Sequence, residues 1–521
     1  MKNVKKRRYP FRATWDTHAK GGGGFPPELR NAISSFLNIN NFILIIIIAL
    51  AVFSRFFKLA QFFTFNFDEE YQASLAWEQV KHLHKIWIGV SASTVNYYLG
   101  PGITYLNALL FRIDKDPVIL GIFGSAFGIV TLLSLYFVTK RVFNRNAALF
   151  AAAFYTGSLF LNFFDRRFWN DTPIIFISLW LFYGLMQLKK DTRWLIFIIF
   201  LMGVALHVHL SLLAFWPVII LVIFINRQRI PFSYYLLSVI SFVLITFPLL
   251  VFDFVHNFDN LLMPVRYVKI FFSSHHDGNF FSGWSQFLNS LSRLWFIRPY
   301  SNVQDEIQLG VHGNITPTII WLSLFSLLIL AWIIIQTIRH KEYRILVLSM
   351  ISFIAVYLYY PGGVVAYFLL GFFGLFAIAT GLFFSRLPKL LAISIMIVFI
   401  AINMYSLLTL QQEQFGLATR KKLVQDIMPV VGNKSFYLET VTIDKRPYHS
   451  AGGWRYIFKA YGRTPAQSNA DQFFGWIFPE EISKTKPKMR VIVSEYPTTV
   501  KQPVIVQFRE GVYYGYVVKN N

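Results

Sequence analysis

Asp68, Glu69 and Glu70 stand in succession just after a long apolar run, NFILIIIIALAVFSRFFKLA. Carboxylates beside hydrocarbon are costly, so their clustering at that boundary needs a reason. One reason is chemistry: a carboxylate held at the start of a helix, at the water boundary, is placed to act as a general base. Guanidinium groups of matching use lie at Arg55, which ends the same apolar run, and at Arg166 and Arg167 in DRRFWND. A guanidinium is a planar fork suited to two phosphate oxygens, and Arg55 can point at the same place as the pair. Structural roles stand beside these. Arg166 and Arg167 can pair with Asp165 or Asp171 or reach lipid phosphates. Asn66 can cap a helix with Glu69 three residues later, which puts the acids in a first turn that the helix dipole favours.

The elements that must position these groups are set by composition. Of 521 residues 55 % are hydrophobic and only 14 % charged, with 56 Phe, which marks an integral membrane protein. A span needs roughly 20 apolar residues. Runs of that order lie at 42–59, 117–139, 147–164, 172–188, 193–207, 210–225, 232–252, 316–338, 345–360, 364–385 and 389–410, about eleven in all. With the N-terminus inside, the inner loops are KRVFNR, KKDTR, NRQR, RHKEYR and SRLPK, all basic, whereas outer loops 207–211 and 361–363 have no Lys or Arg. The expected organisation is a cytoplasmic leader over 1–40, a transmembrane catalytic domain over 41–410 and an extracytoplasmic tail over 411–521. Within the second, outer loops cover 61–116 and 255–315. After Asn66 the apolar side of a helix along the outer surface is Leu75, Ala76, Val80 and Leu83, with Glu78, Lys81 and His82 opposite. The tail reads as a small α/β domain: helices at LATRKKLVQDIM and WRYIFKAY, strands at KSFYLETVTI and MRVIVSEY, and a hairpin PVIVQFREGVYYGYVV turning at Glu510 and Gly511.

Several function classes drop out. The chain has no cysteine, so disulfides and thiolate catalysis are excluded. The formal charge of +23 sits largely in the inner loops, where topology explains it without nucleic acid. The tail has 16 Lys and Arg against 9 Asp and Glu, which suits anionic headgroups or an anionic acceptor. The middles of the spans carry no charged residue, unlike those of ion-coupled transporters. Polar chemistry gathers on the outer rim, with nine of eleven histidines outside. His207 and His209 are two apart, and His82, His84, His256, His275, His276 and His312 share their side. A divalent metal is therefore conceivable but is not the favoured reading.

The chain resembles the GT-C glycosyltransferases, in the branch of protein O-mannosyltransferases and aminoarabinose transferases, over roughly residues 42–410. The residues that carry the likeness are Arg55 followed by Asp68 and Glu69, then GPGITYLNALLF, RRFWND, LHVHLS with His209, and FDFVHNF with His256. Val255 and Asp171 depart from the family's Arg and Pro. The resemblance implies a polyprenyl-phosphate-sugar donor lipid and an acceptor hydroxyl on a protein, lipid or glycan. It also implies inversion at the anomeric carbon, with Asp68 as base, Glu69 supporting it, Arg55, Arg166 and Arg167 on the donor phosphate, and His209, His256, Asn170 and Asp171 orienting substrate. A flippase for lipid-linked sugars is the alternative, and it lacks the expected midplane polar sites.

Overall fold

The computed structural model describes residues 39–83, 85–92, 97–263, 265–266, 279–297, 318–359, 365–410, 413–442 and 452–520. The chain divides into two compact units, Met1–Ile46 and Ile47–Asn521. Of the first, only the opening turns of helix α1 (Ile39–Phe56) are described. Much of the outer loop expected at 255–315, with His275, His276 and His312, lies outside the described residues, as does His84.

The second unit is a helical membrane domain carrying an α/β tail. After α1 come α2 (Leu59–Phe62), α3 (Phe67–His82), a two-residue-per-strand hairpin β1–β2 (Ser91–Ala92, Tyr97–Tyr98) and α4 (Gly102–Ile113). The helices α5 (Val118–Val142), α6 (Arg145–Gly157), α7 (Leu159–Asp165), α8 (Ile174–Leu188), α9 (Trp194–Ala205), α10 (Trp216–Asn226) and α11 (Phe232–Val255) follow. Beyond them lie α12 (Asn279–Arg293), α13 (Ile320–Arg339), α14 (Tyr343–Leu358), α15 (Leu370–Phe384) and α16 (Lys389–Thr409). Among the described residues six stretches are long and apolar enough to cross a bilayer: Val118–Val142, Leu210–Arg229, Phe232–Val255, Ile320–Arg339, Ala366–Phe384 and Lys389–Thr409. The remaining apolar runs form shorter helices, among them α1, α8, α9 and α14.

The run at 147–164 is not one straight helix. It breaks at Ser158, where α6 and α7 meet at 75°. A break inside hydrocarbon frees backbone groups that must find partners. Asn162 Nδ2 donates to Thr156 O and Ser158 O, each at 2.9 Å, while Ser54 Oγ donates to Asn162 Oδ1 at 2.9 Å. The Leu159 N–H donates to Asn403 Oδ1 at 3.5 Å. The bend turns α7 so that Asp165 and the two arginines after it run beneath the end of α1.

The tail opens with α17 (Leu417–Val431) and carries α18 (Trp454–Tyr461), α19 (Asp471–Phe474) and a five-stranded sheet in the order β4-β3-β5-β7-β6. Its strands are β3 (Phe436–Val441), β4 (Gln467–Ser468), β5 (Met489–Ser494), β6 (Val504–Glu510) and β7 (Tyr513–Lys519). β3 lies parallel to β4 and β5, and β7 is antiparallel to β5 and β6. The β6–β7 hairpin turns at Gly511, with φ +58°.

The tail packs on α3, so the two lie on one face of the membrane domain. Tyr71 and Leu75 share an apolar cluster with Ala470, Phe474, Ile477 and Phe478. This corrects the expected surface helix. Residues 69 to 76 are all buried and so is Glu78, whereas Leu83, expected on the apolar side, is 66 % exposed at the helix end. The tail meets both Leu75 and Lys81, which periodicity alone assigns to opposite sides of the helix. Glu70 Oε1 accepts a hydrogen bond from the Tyr456 N–H at 2.9 Å. Burial pushes the Glu70 carboxyl up from its ordinary 4.5 to about 7.

Two outcomes are expected. Gly453 has φ +82°, and a Cβ there would run into the Phe65 carbonyl, while Gly432 has φ +54° with open space around it. Gly453→Ala should destabilise the protein by roughly 1–3 kcal/mol and loosen the tail, and Gly432→Ala by less. Heat-unfolding midpoints and protease cleavage of the tail check this. The raised Glu70 carboxyl holds its proton in the folded chain where the unfolded chain has lost it. Folding stability should therefore fall as pH rises from about 4.5 through about 7. Unfolding midpoints of wild type and Glu70→Gln across that range check this, the variant showing the flatter profile.

Candidate functional site

The site is assembled from the start of α3, the loop 166–173, the start of α4 and the turn 206–209. Asn66 is the N-cap of α3 in a capping box, its N–H donating to Glu69 Oε2 at 3.1 Å. That local pattern fixes Asp68 and Glu69 in the first turn. Asp68 is half-buried and Glu69 has no exposed surface. Glu69 Oε1 accepts from Arg167 Nε at 2.5 Å and pairs with its Nη2. The Arg167 guanidinium also stacks on Trp169, 4.1 Å from the ring centre. The loop is tied to itself by Thr172, whose hydroxyl donates to Arg167 O at 2.6 Å and accepts from the Trp169 N–H at 3.2 Å.

Asn170 and Asp171 point into this cluster by different routes. Asn170 Oδ1 accepts from Gln72 Nε2 at 2.5 Å, and its Nδ2 donates to His207 O at 3.3 Å. Gln72 Oε1 in turn accepts from Thr104 Oγ1 at 2.9 Å. Asp171 is buried with Oδ1 3.7 Å from His209 Nε2. Burial, then the Asp68 carboxylate and more weakly that of Glu69, push the Asp171 carboxyl well above its usual range, with Arg167 opposing. Burial pushes His209 down to about 4. His209 is therefore neutral near pH 7, and the Asp171 carboxyl facing it is pushed toward its neutral form. His209 sits between Tyr367 and Phe368, with ring centres 5.6 and 5.2 Å away, and Tyr367 also meets Trp169.

Arg55 and Arg166 lie beneath the cluster with all but one of their nitrogens engaged. Arg55 is fully buried, its Nε and Nη2 on Asp165 Oδ2 at 2.9 and 2.6 Å, and Tyr155 OH donates to the other carboxylate oxygen at 2.8 Å. Arg166 Nε donates to Arg55 O at 3.1 Å and Nη2 to Phe57 O, which satisfies the carbonyls at the end of α1. Its Nη1 finds no hydrogen-bond partner among the described residues. His256 stands apart: it is exposed, stacked on Phe252 at 4.0 Å, with Nδ1 2.8 Å from Phe252 O. In the same segment the buried residues are Asp253 and Asn260. Asn260 accepts from Tyr98 N–H and donates to Tyr98 O, each at 3.0 Å, which pins the β1–β2 hairpin.

Gln72, Thr104, Trp169 and Tyr367 are absent from the sequence-based site. Only Gln72 carried a signal, four residues after Asp68 and so on the same face of α3. His207 is held for packing: Nδ1 accepts from the Gly102 N–H at 3.1 Å and Nε2 donates to Ile245 O at 2.8 Å. A Cβ at Gly100 would fall inside its ring, which is why the GPG segment is required there. Among the described residues no three His, Cys, Asp or Glu side chains are placed to hold one metal ion. The buried amide network should be intolerant of an apolar replacement. Gln72→Leu keeps the shape but strands Asn170 Oδ1 and Thr104 Oγ1, and is expected to lower stability by about 1–3 kcal/mol. Chemical unfolding in detergent measures that loss.

The sequence pattern of the dolichyl-phosphate-mannose-protein mannosyltransferase family matches residues 99–252, which include α4, the loop 166–173 and the turn with His209. No curated protein matches the sequence. In structure the chain is similar to ArnT from Cupriavidus metallidurans bound to undecaprenyl phosphate, with a TM-score of 0.58 at 12% identity over 91% of this chain and 97% of that one. The apo form of the same protein gives a TM-score of 0.57 at 13% identity, over 93% and 98%. Over nearly its whole length the chain thus has the fold of these proteins, and over its central third it carries the sequence pattern of the mannosyltransferase family.

Proposed function

We propose that the chain transfers a sugar from a polyprenyl-phosphate-linked donor to a hydroxyl of a protein, lipid or glycan on the outer face of the membrane, with inversion and with Asp68 as general base. The observation that carries this reading is the difference among three clustered carboxylates. Glu69 is buried and neutralised by Arg167, and Asp171 is buried and pushed toward its neutral form, while Asp68 is half-buried at the edge. Asp68 is thus the carboxylate of the three that an acceptor can reach.

Transfer requires the acceptor O–H proton to leave as oxygen bonds the anomeric carbon, while the bond from that carbon to the phosphate oxygen breaks. Asp68 takes the proton. The departing polyprenyl phosphate gains charge and needs a cation in a partly dehydrated site. Arg167, held against Trp169 and Glu69, is assigned to that phosphate, with Arg166 Nη1 as the second donor. Arg55, spent on Asp165, supports them by fixing the loop from below. His209, Asn170 and Asp171 orient the sugar or acceptor. His256, exposed and turned to its own helix, is left outside the reacting cluster. The undecaprenyl phosphate held by the Cupriavidus protein supports the donor class.

Asp68→Asn keeps the size and the first-turn position but removes the base. Sugar transfer in membrane vesicles supplied with the donor lipid should fall about 10²–10⁴-fold in kcat with donor KM little changed. Full activity in that variant would remove Asp68 from the reaction. Mass spectrometry of proteins, lipids and glycans from cells with and without the chain would identify the acceptor.

A further inference from the structure

The tail domain grips the chain on both sides of Asp68. Upstream, Arg420 on α17 donates from Nη1 to Phe65 O and to Gly452 O, both at 2.7 Å, and from Nε to Tyr513 OH at 3.0 Å. Its guanidinium lies between the rings of Trp454 and Tyr513, 4.9 Å from each centre. The Leu417 N–H donates to Phe63 O at 2.8 Å. Downstream, the Tyr456 N–H donates to Glu70 Oε1 at 2.9 Å. Residues 63, 65 and 70 are therefore all held by the tail, with Asp68 between them.

Arg420 is the unexpected member. It is 1 % exposed, its hydrogen bonds go to two carbonyls and a phenol, and the Glu70 carboxylate acts on it only through charge. A buried cation bonded to carbonyls and a phenol loses hydration with no carboxylate hydrogen-bonded to it in return, so an apolar residue would serve a merely structural core better. What the guanidinium adds is direction: one nitrogen joins the backbone before α3 to the backbone before α18, while Nε anchors the fork to β7. The contact fixes the peptide three residues ahead of Asp68 and hence the entry angle of the helix that carries it.

We infer that Arg420 is a positioning residue for glycosyl transfer: through Phe65, and together with the Tyr456–Glu70 bond, it makes the tail domain a clamp that sets the placement of Asp68. The inference rests on Asp68 as base. Displacement of a reacting group by about 1 Å costs on the order of 10²-fold in rate, so the clamp acts on kcat and leaves donor binding alone.

The test uses the full chain in lipid nanodiscs with Arg420→Gln, Arg420→Lys, Glu70→Gln and, as a control, Arg490→Gln, which breaks a tail ion pair with Glu439 that does not touch residues 63–70. Backbone hydrogen exchange over 66–72, kcat and donor KM are read for each. Arg420→Gln should raise exchange over 66–72 and lower kcat about 10–100-fold at unchanged donor KM. Arg420→Lys, which still donates to Phe65 O, should recover part of both. Glu70→Gln, which keeps the acceptor for Tyr456, should behave as wild type, and Arg490→Gln should change neither. Unchanged exchange over 66–72 in Arg420→Gln, or an equal loss of kcat in Arg490→Gln, would overturn the clamp. The exchange measurement needs neither donor nor acceptor, so it stands or falls separately from the base assignment, which Asp68→Asn decides.

Discussion

A carboxylate from the first turn of α3 and a guanidinium from a loop 98 residues later meet where neither is exposed by more than a few per cent. The Glu69–Arg167 contact constrains everything around it, because a buried ion pair tolerates little error in geometry. Desolvating both charges is expensive, and removing one partner from such a pair typically costs about 3–5 kcal/mol. The surrounding structure meets the demand by giving each partner a second anchor. Glu69 is also the N3 member of the α3 capping box, and Arg167 also lies flat on Trp169. Asp68 is neighbour to Glu69 in sequence and near enough to Asp171 to act on its carboxyl, so the same anchors fix the turn that carries it.

The second buried pair, Arg55 with Asp165, has a different use. It lies at the end of α1 and the end of α7, and α7 reaches it only because the chain bends by 75° at Ser158. A straight helix over 145–165 would carry Asp165 away from Arg55 along the axis of α6. The bend has its own hydrogen-bond partners in Asn162, Ser54 and Asn403, so its freed carbonyls and N–H are satisfied inside the protein. Gly124 and Gly128 of α5 let this segment approach. A Cβ at Gly124 would meet the Arg167 carbonyl, and one at Gly128 the Asp165 side chain. Two pairs, one above the other, thus hold the loop that carries both arginines.

What was legible in the sequence follows from range. The Asn66 and Glu69 cap, the strands of the tail and the turn at Gly511 are set by neighbours within a few residues, and their patterns read directly. The apolar runs read as helices for the same reason. The choice of partner for each arginine did not read, because Asp165, Asp171 and Glu69 are equivalent as sequence and only the bend at Ser158 assigns them. That bend lies within an apolar run whose composition is the same on either side, and its partners come from as far away as Asn403. The burial of α3 did not read either, since the surface that covers it begins some 350 residues later. His256 was misleading because a histidine near a helix end looks the same whether it faces a site or its own Phe252.

The covering of α3 bears on why a membrane protein of this shape carries an α/β tail at all. A helix lying at the bilayer edge and held on one face only would be free to tilt with the lipid. Here the inner face of α3 is tied to the loop by Arg167 and to α4 by Gln72, and its outer face is closed by Phe474, Ile477 and Phe478. Held from both sides, the first turn keeps its direction relative to the loop 166–173. Among the described residues no tail group hydrogen-bonds or ion-pairs with Arg167, Asn170 or Asp171, so any effect of the tail on them passes through α3. The charges follow the same division, with the pairs that fix geometry buried and the carboxylate assigned to the reaction left at the boundary.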